Sequence, residues 1–296
     1  MINNVTVVIR SSNERTEKLC YNLAAREVPE KNIQIIKVKP FSKAVQENFK
    51  IGIERNLKWT LALDADILLK KGAIEEMVNE FEKLDDCYYI YQGWVYDKFF
   101  LGFRSGGPHL YRTSLLSIAY DFIPKEGTSL RPESDTYRAM KKIGYHYFVD
   151  VKHFGLHDFE QYNKDIYRKF FLNAKKNQSF IPQFLTKWKK SLISDLDYQV
   201  AMRGLSDGLM FKETVFLNIS FFADKTKILL NYISEKGNEV DNKKLEEIFT
   251  SNEYSKGVNS FIRDSRVDNV ERRLIYRIRR KVYKRIHVWL ESKGYY

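Results

Sequence analysis

The chain has 296 residues, 44% of them hydrophobic, 15% aromatic and 30% charged, with only 14 Gly and 6 Pro, which excludes fibrous and disordered classes and predicts one sizeable core with an appendage. The formal charge of +12 implies an anionic partner, whether nucleic acid, a phospholipid surface or a phosphate-bearing small molecule. Two cysteines, Cys20 and Cys87, are too few for a disulfide framework and form no Cys-x-x-Cys pair, so a reducing, cytoplasmic compartment is expected. With no apolar leader and no bilayer-length run, the chain reads as neither secreted nor membrane-spanning.

Up to about Asp150 short apolar strands alternate with amphipathic helices, the pattern of a βαβ-type domain. Val5 to Ile9 reads as a strand, and the turn Ser11-Ser12-Asn13 leads into a helix from Glu14 to Arg26. A second strand, Ile33 to Val38, is broken by Pro40, and a helix follows from Lys43 to Asn56. Trp59 to Leu63 is nearly all apolar, as a central strand covered on both faces should be, and it ends in Asp64-Ala65-Asp66. Next come a helix from Gly72 to Leu84, a strand from Tyr88 to Trp94, and a glycine-bearing loop from Phe103 to Pro108. A short strand over His109 to Arg112 and a helix starting at Ser114 follow. Pro132-Glu133-Ser134-Asp135 opens a helix that Gly144 closes before a strand from Tyr147 to Lys152. Beyond Asp158 the strand signals fade and the remainder reads as mostly helix.

Two carboxylates at the carboxyl end of a buried strand call for a cation or hydroxyl donors, and in open α/β sheets this edge is where ligands bind. Hard oxygens suit Mg²⁺ or Mn²⁺, which bind through one or two carboxylates and substrate phosphates. A surface turn with two solvated aspartates is the simpler reading of the triplet taken alone; the buried strand before it argues for the metal.

With these motifs the sequence resembles the GT-A-fold glycosyltransferases, most closely the inverting family 2. Val7 to Arg15 is similar to that family's first strand and nucleotide-contacting loop, and Leu61 to Asp66 to its D-x-D strand. The resemblance covers residues 5–158 and implies an α/β, GT-A (Rossmann-like) domain over residues 1–165, with a mostly helical C-terminal region, 166–296. It implies an enzyme that moves a sugar from a nucleotide-sugar donor to a hydroxyl of a glycan or lipid-linked saccharide acceptor, with inversion, in surface polysaccharide or glycoconjugate synthesis.

Carried over residue by residue, Asp66 binds a Mn²⁺ or Mg²⁺ ion, and Asp64 contacts the ribose or the metal's water. Arg10, Ser11, Asn13, Arg15 and Ala65 fall at donor-binding positions. Gly106 and Gly107 match the family's glycine loop, where bare backbone admits sugar and acceptor. Glu133 lies eleven positions before Gly144, the family's offset for the catalytic base, with Asp135 as its understudy. Both also suit plain capping of a helix start. His153 and His157 follow the last strand where such enzymes place a third metal ligand; strict alternation puts them on one face, and spacing from Gly144 favours His157. Family members often carry an acidic residue after the second strand; here that stretch is Ile36-Lys37-Val38-Lys39-Pro40, which leaves the nucleotide base open and makes Lys39, Ser42 and Lys43 weaker donor contacts.

Between Glu271 and Leu290, Leu274, Ile278, Val282, Ile286 and Trp289 fall at helical intervals among arginines and lysines. Two readings stand for residues 270–290: a terminal helix packed by its apolar stripe, and a helix lying on an anionic membrane surface that would make the enzyme peripheral. A haloacid-dehalogenase-type phosphohydrolase also uses D-x-D, but after its first strand. A nucleotidyltransferase needs glycine in the loop after that strand, and Arg10 to Arg15 has none. A basic nucleic-acid-binding protein fits the charge but finds no binding motif, so no nucleic-acid partner is expected.

Overall fold

A computed structural model describes residues 1–215, 219–240, 242–251, 254 and 258. By contacts along the chain, Met1–Leu245 is one compact unit and Glu246–Tyr296 a second; the basic segment 270–290 lies outside the described residues.

The chain opens with β1 (Val5–Arg10), α1 (Glu17–Ala25), β2 (Ile33–Ile36), α2 (Phe41–Arg55) and β3 (Trp59–Asp64). β4 (Ile67–Leu69), α3 (Ala73–Phe81), β5 (Tyr88–Asp97), β6 (Gly102–Arg112), α4 (Leu116–Tyr120), α5 (Pro132–Lys142) and β7 (His146–His157) complete the sheet region. α6 (Asn163–Lys176), α7 (Ile181–Trp188), α8 (Ser191–Ser194), α9 (Leu196–Met210), α10 (Ala223–Leu230) and α11 (Asn242–Thr250) follow without another strand among the described residues. The α/β class with a helical extension expected from the sequence is thus the observed architecture.

The seven strands form one mixed sheet in the order β2-β1-β3-β6-β5-β7-β4. β1 pairs in parallel with β2 and β3, and β5 with β7, while β6 and β4 run against their neighbours. The carboxyl ends of β1, β3, β5 and β7 therefore share one edge. Along β3 every residue from Trp59 to Leu63 is buried, which is why the run is apolar but for Thr60, whose hydroxyl bonds that of Thr113 at 2.8 Å. On one face Trp59 packs on Phe81 of α3, their centroids 4.6 Å apart and the rings tilted by 33°. On the other, Val45 and Phe49 of α2, Leu116 of α4 and Met140 of α5 pack with Ala62, Tyr89 and Tyr111. A separate core joins the helical region to the end of β5: Phe99, Phe170, Phe184 and Trp188 are buried together with Tyr198 of α9.

The sequence reading differs from the structure in three places. The glycine-bearing segment is part of β6 and not a loop: Gly93 of β5 faces Gly106-Gly107-Pro108, so the three residues bulge out of a ladder that otherwise continues. β4, too short to show a period, turns straight back after Asp66 and pairs Ile67 with His157. β7 runs twelve residues to His157, with Trp94 opposite His153 and Val95 opposite Gly155. The extra residue, Phe154, breaks the alternation that had put both histidines on one face.

Candidate functional site

The shared edge gathers the polar residues that end the parallel strands. Arg10 lies opposite Asp64 in the β1–β3 register, and Asp97 opposite His157 in β5–β7. Two halves of a site result, joined by the turn at Asp66.

In the first half, Arg10 donates from Nε to Asp64 Oδ1 at 2.8 Å and from Nη1 to Glu133 Oε1 at 2.6 Å. Arg10 is 5% exposed, so both bonds are strong and costly to break. Tyr111 Oη donates to the same Glu133 oxygen at 3.3 Å, and His109 Nδ1 lies 3.6 Å from it. Burial alone would push the Glu133 carboxyl up; Arg10 and His109 override it and hold it well below the usual carboxylate range. Asp64 goes the other way: burial outweighs Arg10, Asp66 adds repulsion, and its carboxyl is raised.

In the second half, Asp66, His157 and Asp158 each offer a ligand atom, all within 4.8 Å of one another. That is the spread of atoms around a single cation with bonds of about 2.0–2.6 Å. Asp66 Oδ1 is buried and has no hydrogen-bond partner among the described residues, as befits a carboxylate completed by a cation. Asp158 reaches the group from a left-handed backbone, φ 67°. His157 is oriented from behind: its Nδ1 lies 2.7 Å from Asp97 Oδ2, which turns Nε2 toward Asp66 Oδ2 at 3.5 Å. Asp97 is itself fixed, with Oδ1 accepting from the backbone N–H groups of Phe99 and Phe100 at 2.9 and 3.0 Å. Its burial favours the neutral acid, but Arg104 and the His157 bond hold it ionised. From α6, the Lys169 ammonium bonds Asp158 and lies 3.6 Å from Asp66. Two carboxylates and an oriented imidazole fit a divalent ion of the Mn²⁺ or Mg²⁺ kind.

Both halves open on a cleft of about 330 Å³ lined by Arg10, Asp64, Asp66 and Asp158 on the sheet side, by Ile36, Lys39 and Phe41 at one wall, and by α6 at the other. This is the size of a small-molecule site. Glu14 also lines it; burial and then Asp66 push its carboxyl up to about 7. α6 presents Asp165, Arg168, Lys169, Leu172 and Lys176, a stripe at helical spacing.

Of the residues singled out from the sequence, Arg10, Ser11, Asp64 and Asp66 line the cleft, as does Lys39. Asp66 and His157 come together, and Asp158, adjacent in sequence, joins them. Asp64 is engaged by Arg10 and stands outside that group. His153 is also outside it: its ring lies 5.2 Å from that of Phe103, and burial, then Lys70, pulls its pKa down to about 4. Ala65 is fully buried and serves the backbone, its N–H bonding Arg10 O at 3.0 Å. Asn13 bonds Ser11 Oγ through its N–H, and Arg15 pairs with Glu160 and with the Gly237 carbonyl. Gly107, at φ 22°, packs so close to Ile67 that a Cβ would meet Cδ1 at 2.5 Å, and Gly106 lies equally tight on Arg104. Asp135 bonds Ser129 and Arg138 and is 37% exposed, away from the cleft wall. Ser42 is buried in α2, and Lys43 lies 3.9 Å from Glu126. Sequence reasoning passed over Asp97, Arg104, Asp158, Glu14 and the α6 stripe; the charged i, i+3, i+4, i+11 spacing from Asp165 was the signal available for the last.

No protein-family model and no curated protein matches the sequence. Among solved structures, the chain is similar to a glycosyltransferase involved in glycosylation of the major capsid of PBCV-1, with 14% identity over 49% of this chain and 81% of that one and a TM-score of 0.36. The mannosyltransferase PcManGT from Pyrobaculum calidifontis, in complex with GDP-Man and Mn²⁺, matches at 12% identity over 78% of this chain and 81% of that one, TM-score 0.35. S. aureus TarS in complex with UDP-GlcNAc matches at 13% identity over 87% and 80%, TM-score 0.33.

Proposed function

We propose that the chain is a metal-dependent glycosyltransferase of the GT-A type that transfers a sugar from a nucleoside-diphosphate donor to an acceptor hydroxyl, with inversion. The observation that carries the reading is the Asp66–His157–Asp158 group, with a partnerless buried carboxylate oxygen, at the strand-end edge of a cleft that also holds Lys39, Arg168 and Lys169. Asp66, His157 and Asp158 would hold Mn²⁺ or Mg²⁺, which supplies positive charge to the diphosphate leaving group.

The chain's own residues account for the rest. Lys169 and Arg168 place further cations along the wall where the leaving diphosphate gains charge. Asp97 keeps the His157 ring from turning. The place of sugar and acceptor beside Gly106 and Gly107 comes with the family resemblance; here the missing side chains of the two glycines make room for Arg104 and Ile67. The acceptor hydroxyl forms the new bond to the anomeric carbon as the bond to the diphosphate breaks, and its proton passes to Glu133. The acceptor class, a glycan or a lipid-linked saccharide, comes with the family resemblance.

The Arg10 pair favours a second reading of Glu133, as the anchor that fixes Arg10 and through it Asp64. Glu133→Gln separates the two: a base variant binds donor and loses transfer, whereas an anchor variant loses binding and stability together. The overall reading is tested by nucleotide release from a panel of UDP-, GDP-, dTDP- and CMP-sugars with Mn²⁺ or Mg²⁺. Release that survives both chelation and Asp66→Ala refutes it. Salt-sensitive nucleic-acid binding without sugar-nucleotide turnover would replace it.

A further inference from the structure

Most cations of the cleft are answered by acids. Arg168 lies 3.4 Å from Asp165, Lys169 serves Asp158 and Asp66, and Arg10 serves Asp64 and Glu133. Lys176, at the end of the α6 stripe, is different. It lines the cleft, yet the charges that act on it are those of Arg131 and Lys169, both positive. Burial first, and then these two neighbours, bring its ammonium down to about 8.

Arg131 is held in place. Its Nη2 donates to the Lys176 carbonyl at 2.9 Å and to Asn177 Oδ1, so the loop before α5 is fastened to the end of α6 by backbone and amide oxygens and not by a carboxylate. A guanidinium bonded to the Lys176 carbonyl and the half-buried ammonium of the same residue therefore stand with no acid opposing either among the described residues, an arrangement that disfavours the charged lysine until an anion arrives. Lys176 lies seven residues beyond Lys169, about 10 Å along the helix, so it extends the cleft away from the Asp66 group. An arginine fork next to a lysine is suited to phosphate oxygens.

We propose that Lys176, at the end of the cleft distal to Asp66, forms a phosphate subsite with Arg131, which is bonded to its carbonyl just outside the cleft lining. The subsite deepens the nucleotide-sugar reading and rests on it for the source of the phosphate: the donor's own diphosphate, or a phosphate carried by the acceptor. Phosphate binding as such does not depend on that reading.

The test titrates the full chain by calorimetry in two arms, for wild type, Lys176→Gln, Lys176→Arg and Arg131→Gln. In the first arm GDP and UDP are added with Mn²⁺; in the second, pyrophosphate is added to protein already saturated with Mn²⁺ and the nucleoside diphosphate. Losing one charged bond to phosphate should weaken binding about ten-fold or more in Lys176→Gln and Arg131→Gln, with Lys176→Arg close to wild type. A loss in the first arm assigns the subsite to the donor, and a loss in the second to the acceptor. Wild-type affinity of both variants in both arms, or no binding by wild type in either, overturns the proposal. Arg131 is exposed, so its variant keeps the test valid should Lys176→Gln fold poorly. Asp66→Asn is run alongside: nucleoside-diphosphate binding indifferent to that change defeats the metal-dependent reading, while a loss confined to the Lys176 and Arg131 variants still stands for the subsite.

Discussion

Arg10→Met is the sharpest perturbation of the strand-end network. Methionine keeps much of the volume under Phe41, over whose ring the guanidinium sits at 5.1 Å, but it abandons two carboxylates at once. Asp64 is 38% exposed and water can take up its lost bond, so the penalty falls on Glu133, which is 14% exposed. Removing one partner of a buried pair costs about 3–5 kcal/mol, and the relief at Asp64 places the expected loss near the lower end, about 3 kcal/mol. That is a large part of a domain's stability of about 5–15 kcal/mol, and at about 2–4 °C per kcal/mol it lowers Tm by roughly 6–12 °C. The pH dependence fixes the cause. In the wild type Glu133 is held below its ordinary 4.5, so its pairing stabilises the fold above the unfolded value and is lost only as pH falls through the lower folded one. Without Arg10, burial prevails and the Glu133 carboxyl rises above its unfolded value. The folded variant then binds more protons than the unfolded chain and regains stability on acidification. Urea unfolding at about pH 7 and about pH 5 should therefore show a deficit that shrinks toward acid. A loss under about 1 kcal/mol, or a deficit that grows on acidification, refutes the role given to the pair.

Asp97→Asn removes the carboxylate that orients His157, and Mn²⁺ affinity measured by calorimetry should fall by about 10–100-fold with the fold retained; unchanged affinity would show that the ring needs no such partner. Gly155→Ala drives a Cβ to 2.2 Å from the Leu68 carbonyl oxygen, so the β4–β7 pair that seats Asp66 beside His157 must part. Destabilisation of about 1–3 kcal/mol, with weakened metal binding, is expected by thermal unfolding, and a wild-type melting curve would contradict the packing. Glu14, raised from 4.5 to about 7, contributes stability that is full below its unfolded pKa and is lost as pH rises through its folded value. Glu14→Gln should therefore flatten the decline of metal-free stability between those values, and an unaltered slope would remove Glu14 as its source.

The sequence by itself determined most elements up to residue 158 and their order, because these rest on local periodicity: the run Trp59 to Leu63, apolar but for Thr60, reads as a covered strand, and Asp64-Ala65-Asp66 then stands at its end. It also brought Glu133 to a helix start, since caps act within a few residues, but ended the last strand at Lys152, five residues short of the His157 that the structure puts at its end. The partners of these groups were decided by tertiary structure alone. Arg10, placed by its motif among donor contacts, is drawn onto Asp64 and Glu133 because strand register sets it opposite one and α5 carries the other to it. Asp158 enters the metal group with Asp97 behind its histidine, and His153 leaves it, through one added residue in β7 and a three-residue strand too short for any period. Lys169 and Lys176 meet the cleft only where α6 crosses it, and Arg131 reaches Lys176 from the start of α5. Which side chains converge depends on register, bulges and packing between segments far apart in the chain, and local pattern holds no record of those.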